Sequence, residues 1–449
     1  MITFILSLTA LIAGYALYSG YLERSIIKAD PDRATPAATL NDGIDYVPMP
    51  WWRVFLIQFL NIAGLGPIFG AIAGAMWGPV SFLWIVFGTI FAGSVHDYLS
   101  GMLSLRHSGT SITEIISIYL GKHAGQIMRI FIILLLILVG VVFISGPAGL
   151  LAGITPQSPG AGFWVWIIFT YYILATLLPI DKVIGKIYPI FGFALLFMAV
   201  SLITALIAQG YQIPELTAEN FRNLHHNKES LPLFPMLFIT IACGAISGFH
   251  ATQSPLMARC LRNEKEGRKV FYGAMVAEGA VALIWAAIAM SFFGGVSPLN
   301  DVMTAHNGNA AWAVSEISHT LLGTFGAILA ILGVVAAPVT SGDTAFRSAR
   351  LTIADLLKTS QKPIRNRLII TLPLFAVGLL LTRINFDVIW RYFAWANQTL
   401  AAVILWTVTV YLGRKKDATF LITLIPALFM TAVVTTYILL APEGFSLSR

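Results

Sequence analysis

Long apolar runs, punctuated by glycine, proline or charge, follow one another from end to end of the chain. Twelve stand out: residues 2–21, 53–76, 80–105, 124–146, 162–178, 184–209, 232–257, 270–293, 322–348, 367–382, 386–412 and 418–440. The strands of a membrane barrel are short and alternating, whereas these runs approach the ~20 residues a helix needs to cross hydrocarbon. Irregular backbone is not tolerated against lipid, so each run is predicted to be mostly helical. The expected fold is an all-α polytopic membrane protein with about 12 transmembrane helices in a single domain spanning the chain. The longest intervening stretches, 22–52, 210–231 and 294–321, read as loops.

Composition sharpens this. Of 449 residues 57% are hydrophobic and 11% charged, against about 25% charged in a soluble domain, which excludes a soluble multidomain enzyme and a disordered chain. The net charge of +7 could point to nucleic acid, but its distribution points elsewhere. With the N-terminus outside and the loops alternating, the inner side collects 22 of the 28 Lys and Arg, from Arg24, Lys28 and Arg33 through Arg259–Lys269 to Lys182, Lys186, Lys362 and Lys416. The outer side receives Arg222, Lys228, Arg383 and Arg449, while Arg129 and Arg391 fall within runs. Such a bias is the positive-inside signature; it accounts for the basic charge without nucleic acid and puts both termini outside. The first run has no basic residue before it and no small-residue cleavage site, and is read as a retained span. Cys243 and Cys260 would sit about 25 Å apart on one continuous helix, too far for a disulfide, and are expected as free thiols.

Parity carries a second message. Runs two to six (53–209) and seven to eleven (232–412) are two blocks of five, and an odd-numbered block that repeats must return upside down, as in inverted-repeat transporters. The first run of each block is interrupted at mid-depth. In the first block the interruption is Asn61-Ile62-Ala63-Gly64-Leu65-Gly66-Pro67; in the second it is Cys243-Gly244-Ala245-Ile246-Ser247-Gly248-Phe249-His250, continuing to Pro255. Matched helix breaks point to a binding site, although small residues also serve plain helix packing.

Three stretches resemble the carbon starvation protein A (CstA) family: Asn41-Asp42-Gly43-Ile44-Asp45-Tyr46-Val47-Pro48 leading into the first break, Gly93-Ser94-Val95-His96-Asp97-Tyr98 with Ser104–Gly109, and Gly248–Pro255. The resemblance runs from the N-terminus to at least Arg350. It implies a multi-pass inner-membrane transporter with a LeuT-like five-plus-five inverted repeat and one extra helix at each end. Family members are described as peptide permeases and as proton-coupled pyruvate importers. The expected function is therefore import of a small anionic or zwitterionic nutrient, pyruvate or short peptides, in carbon starvation, coupled to protons. A sodium-coupled peptide symporter and a passive channel or starvation sensor are the alternatives. The chain is shorter than long members, which implies that their extra C-terminal spans are missing.

Ionisable groups inside spans are functional candidates. Asp97 shares a helical face with Gly93, Gly101 and Ser104, and reads either as a coupling carboxylate or as an anchor for a helix break; His96 points elsewhere, as a packing residue. Thr340, Ser341, Asp343 and Thr344 offer hard oxygens to a cation, but Arg347 lies one turn on and can pair with Asp343. Glu278, among small residues, is a third buried carboxylate. No mid-span arginine lies near the breaks to hold a substrate carboxylate, and an interrupted helix supplies free N–H groups instead. The amides at Gly64–Gly66 and Ser247–Gly248 are expected to cradle it, with Ser247, His250 and Gln253 as donors. His250 would also link binding to pH, unless it merely bonds a freed carbonyl. Gly64-Leu65-Gly66 followed by Gly70 is not a dinucleotide fingerprint, and no phosphate loop is present, so neither cofactor nor ATP hydrolysis is expected. His225, His226 and Glu229 read as solvated loop residues, not metal ligands. Ser247 near His250 leaves an intramembrane enzyme as a minor alternative.

Overall fold

The computed structural model describes residues 1–43, 45–155, 159–177, 180–361, 363–415 and 417–447, with backbone alone at 154, 176–177 and 180–187. Ile44 of the first motif and the side chains of Lys182, Lys186, Lys362, Lys416 and Arg449 lie outside the described residues. Their regular secondary structure is helical, with no sheet strand among the described residues. Among the described residues nine helices are long and apolar enough to cross a bilayer, and a tenth is counted when Trp51–Ile62 and Gly66–Trp77, bent by 58°, are taken as one. The run expected at 162–178 appears as a shorter apolar helix, Ala161–Ala175. The run expected at 232–257 is divided: helix ends at Thr240 and resumes at His250–Ala258.

Two expectations change in detail. The run expected from 322 belongs to a longer helical stretch, Ala310–Leu356, kinked at Gly323, whose φ of +59° takes the left-handed region open to glycine. The loop expected at 294–321 contains a helix, Val296–Ala305, that buries Leu299, Asn300 and Met303. Its apolar residues are too few and one-sided to register as a span, and it lies as a half-buried cap, with Asn300 Nδ2 donating to Met76 O at 2.9 Å.

Burial separates an inner set of helices from a perimeter. The best apolar window is 83% buried in Val80–Arg106 and 78% in Arg268–Phe292, but 28% in Ile2–Ile27, Ile364–Leu381 and Ala418–Leu440. The exposed positions are apolar, Leu17, Ile190, Phe193, Leu380 and Ile425 among them, as a lipid-facing perimeter requires.

Segments assigned to one side by their charges also meet in space. Glu264 accepts from Arg106 at 2.6 Å, Arg33 at 3.0 Å and the Asp30 amide at 2.7 Å, and Arg268 pairs with Glu23 at 3.1 Å. Burial alone pushes the Glu264 carboxyl up, but the Arg106 and Asp30 hydrogen bonds and the arginine charges outweigh it and hold it below the usual carboxylate range. On the opposite face Trp77 donates to Leu231 O at 3.2 Å. There His225 is buried, not solvated as expected, its ring 4.6 Å from that of Trp77.

Candidate functional site: two facing helix breaks

The first break is short. Gly64 N–H donates to Ile62 O at 2.9 Å, which leaves Leu60 O to the Ser341 hydroxyl at 2.9 Å. Close packing dictates its glycines: a Cβ at Gly64 would lie 2.5 Å from Phe143 Cζ, and one at Gly66 2.3 Å from Cys243 Cβ. The two breaks therefore touch. Asn61 is fully buried here with neither amide atom hydrogen-bonded, and Gln58 Oε1 is likewise without a partner.

The second break, residues 241–249, is longer and tied from outside. Val80–Arg106 lays one face against it: Trp84 Nε1 donates to Ile241 O at 2.9 Å, Thr89 Oγ1 to Gly244 O at 3.1 Å, and Gly93 lets Ala245 O approach where a Cβ would sit 2.2 Å away. From Phe386–Gly413, Asn397 Oδ1 accepts from the Phe249 amide at 2.7 Å and from Ser247 Oγ at 3.1 Å. Asn397 O takes Gly248 N–H at 3.2 Å. The Gly64 and Gly248 amides expected to cradle a carboxylate are thus already donated within the protein.

Four titratable groups from three helices meet beside this break. His96 Nδ1 lies 2.7 Å from Asp97 Oδ1, His250 Nδ1 2.8 Å from Asp97 Oδ2, and His250 Nε2 3.4 Å from Glu278 Oε2. All four side chains are fully buried. His96 therefore joins Asp97, contrary to the expectation that it points elsewhere; adjacent residues converge because the Asp97 carboxylate reaches back to its neighbour's ring. With Nδ1–H of each ring donated to the Asp97 carboxylate, Nε2 of a neutral His250 has only a lone pair to offer, and it faces a carboxylate whose two oxygens have no hydrogen-bond partner. Two buried acceptors at this distance call for one proton between them. Cys243 Sγ, His250 and Glu278 offer donor atoms within 4.8 Å of one another, a set that a divalent ion with an open fourth position could take. One proton satisfies His250 and Glu278 together, however, and the thiol already contacts Ser247 Oγ at 3.7 Å and Asn397 Nδ2 at 3.5 Å. Both cysteines are free thiols.

The remaining candidates are dispersed. Gln253 Nε2 donates to Thr252 Oγ1 at 2.9 Å and its Oε1 is unpartnered. Thr340 and Thr344 donate to carbonyls of their own helix at 2.7 and 2.8 Å. Asp343 lies 3.7 Å from Arg347 and accepts from Tyr188 at 3.3 Å. The Asp343–Arg347 pair allowed by the sequence is formed, so a cation at this site would compete with the guanidinium for the Asp343 carboxylate. Ser247 turns to Asn397 and not to His250, so no Ser–His nucleophile pair forms. Asn397, Asn61, Trp84 and Thr89 were missed. Asn61 stood within the quoted break, and an amide inside a long apolar run was the available signal for Asn397.

Beside the turn at His306–Asn309 that follows the 296–305 helix, a cavity of about 400 Å³ reaches Phe69 and Trp390. Below it aromatic rings close the way to the breaks: Phe69–Trp390 at 6.1 Å, Trp390–Phe393 at 5.6 Å, Phe393–Phe143 at 6.3 Å and Phe143–Phe249 at 6.1 Å between centroids. On the opposite face, a cavity of about 50 Å³ lies beside Thr252 and Arg259.

A bundle with apolar flanks, facing helix breaks and buried ionisable groups between them is an integral membrane protein of the transporter class. The chain belongs to the family described as Carbon starvation protein CstA, which it matches over residues 1–159, 159–321 and 302–437. A Haemophilus influenzae protein described as an uncharacterized membrane protein is 44% identical, over 68% of this chain and 95% of its own length. The Helicobacter pylori (strain J99) peptide transporter CstA is 28% identical over 94% of this chain and 79% of that protein. The Escherichia coli pyruvate/proton symporter BtsT is 29% identical over 62% and 47%. The match to the Helicobacter protein runs over 544 positions, more than the 449 residues here. Part of the length difference therefore lies within the match.

Proposed function

We propose that this chain is a secondary active transporter, not an enzyme, that imports a small carboxylate-bearing nutrient (pyruvate or a short peptide) with protons as the coupling ion. The observation that carries the proposal is the His250–Glu278 pair, two buried acceptors that need one proton, set at a helix break and linked through Asp97 to His96. A group that must be protonated in one arrangement of the bundle and can release the proton in another is what symport requires. The names of the Helicobacter and Escherichia relatives supply the two substrate classes.

The architecture in this reading is a LeuT-like arrangement of twelve spans. Residues 53–209 and 232–412 form its inverted halves, one extra helix flanks them at each end, both termini lie outside, and the location is a cell inner membrane. Its support is that the first helix of each half is the broken one and that the basic segments cluster on one face. The substrate is held between the breaks, with Gln253 Oε1 and Asn61 as free polar atoms in place of the Gly64 and Gly248 amides, while His250 links binding to the proton it shares with Glu278. Gly64, Gly66 and Gly248 act by allowing the approach, and Ser247 by tying the break to Asn397. Sodium at Thr340, Ser341, Asp343 and Thr344 is disfavoured by the Arg347 pair.

Uptake by proteoliposomes, under an imposed proton gradient with sodium present or replaced by choline, tests this. Accumulation above equilibrium without sodium is expected. Strict sodium dependence would move coupling to Asp343, and simple equilibration would make the protein a channel.

A further inference from the structure

The cavity beside the His306–Asn309 turn is, at about 400 Å³, within the range of small-molecule sites. Asp387 is the only Asp, Glu, Lys or Arg among its lining residues. It is also free to take a cation: Arg391, one helical turn on, is turned to Glu443 at 3.3 Å, and no ion pair to Asp387 forms among the described residues. The floor is aromatic. Trp390 lies 6.1 Å from Phe69 and 5.8 Å from Phe386 between centroids, and ring faces attract cations. One wall is fixed by the tight turn at Asn307 and Gly308, with φ of +52° and +74°, and by His306 stacked 3.6 Å over Trp312.

We infer that this cavity is an entry site for a small solute carrying an ammonium group, which Asp387 holds against the Phe69–Trp390 floor while the aromatic rings below stay closed. The assignment rests on the transporter reading for its purpose, but not for its chemistry. The solute's carboxylate meets neutral donors, Asn307 and Ser145, at the wall. A bare monocarboxylate such as pyruvate meets the negative charge of Asp387 with no Lys or Arg in the lining to offset it. Of the two substrate classes, the amine-bearing one is taken here. An exposed ion pair and a cation over a ring each contribute modestly, so the preference is about tenfold.

The test uses the full chain in nanodiscs, titrated with alanyl-alanine, N-acetyl-alanyl-alanine and pyruvate. Tryptophan fluorescence is read as the difference between wild type and Trp390→Phe. Alanyl-alanine is expected to bind about tenfold more tightly than its N-acetylated form, by the estimate above for one ion pair and one ring contact, and pyruvate most weakly. Asp387→Asn should erase the difference and Asp387→Glu keep most of it. Equal binding of the two dipeptides, a difference that survives in Asp387→Asn, tighter binding of pyruvate, or no saturable signal with alanyl-alanine would each overturn the inference. Uptake separates it from the broader reading. If the binding preference holds but no solute is accumulated, the transporter reading fails and the site stands. If proton-driven uptake occurs with the same dipeptide preference in Asp387→Asn and wild type, the site fails and the reading stands.

Discussion

The two breaks were near-twins in the sequence, each a glycine-rich interruption in the first run of its block, yet they solve the same backbone problem differently. A broken helix strands carbonyls and amides that hydrocarbon cannot satisfy. The first break spans a few residues, repairs itself with a local Gly64–Ile62 bond and one hydroxyl from Ser341, and is shaped by steric approach to Phe143 and Cys243. The second leaves nine residues outside regular helix, and Trp84, Thr89 and Asn397 must reach in from two other helices. The first break thus keeps polar atoms unspent at Asn61, whereas the second spends its amides and gathers titratable groups at His250. Matched position does not mean matched chemistry: one break suits solute contact, the other proton exchange.

Perturbing the breaks separately can sharpen or undo this contrast. The largest effect is expected for His250→Gln, which keeps a hydrogen bond to Asp97 but cannot titrate. Proton-driven uptake should be lost and the residual rate should become flat with pH; normal uptake with an unchanged pH profile would make His250 structural and leave Glu278 or Asp97 as the coupling group.

Alanine at the glycines comes next. A Cβ at Gly248 would sit 2.5 Å from Ala401 N and Asn397 O, which are backbone atoms, whereas at Gly64 it meets only the tip of a side chain, Phe143 Cζ. Overpacking costs about 1–3 kcal/mol, and Gly248→Ala should fall at or above the top of that range with Gly64→Ala near the bottom, read as shifts in thermal unfolding. The reverse order would mean that the second break is the more yielding.

The amides should separate stability from function. Asn397→Ala strands the Phe249 amide and the Ser247 hydroxyl, at about 1–3 kcal/mol for each buried group left unpaired. Asn61→Leu removes a group that has no partner, so it should leave stability within about 1 kcal/mol of wild type while raising KM for uptake. Equal destabilisation by the two would show that Asn61 has a structural partner.

The smallest effect is a control on pH. Burial, with the charge of neighbouring His226, holds the His225 imidazole down at about 4. The folded state prefers the neutral ring, so its contribution is full above the unfolded value of about 6.5 and is lost as pH falls from there towards 4. His225→Phe, which keeps a ring in contact with Trp77, should flatten that acid loss in stability without moving the pH dependence of uptake. If uptake moved with it, the proton effect could not be assigned to the break.

Hydrophobic run length is a property of the chain alone, because lipid demands it of each segment independently, and so the helical class, most of the span positions and both interruptions were legible. The grouping of basic loops on one face followed for the same reason. The divided helix at 233–258 and the cap at 296–305 were harder, since glycine says that a helix can break but not how far, and a half-buried helix is too polar to register as a span. The Asp343–Arg347 pair was foreseeable because it lies one turn apart on one helix. By contrast, Asp97, His250 and Glu278 are distant in sequence, and single residues gave no sign that two imidazoles share one carboxylate or that an acceptor faces an acceptor. That arrangement, the hold of Asn397 on the second break and the freedom of Asp387 beside the His306–Asn309 turn arise from helix packing. Which buried polar atoms find partners, and which are left for a proton or a solute, is decided only when separate helices come within hydrogen-bonding distance.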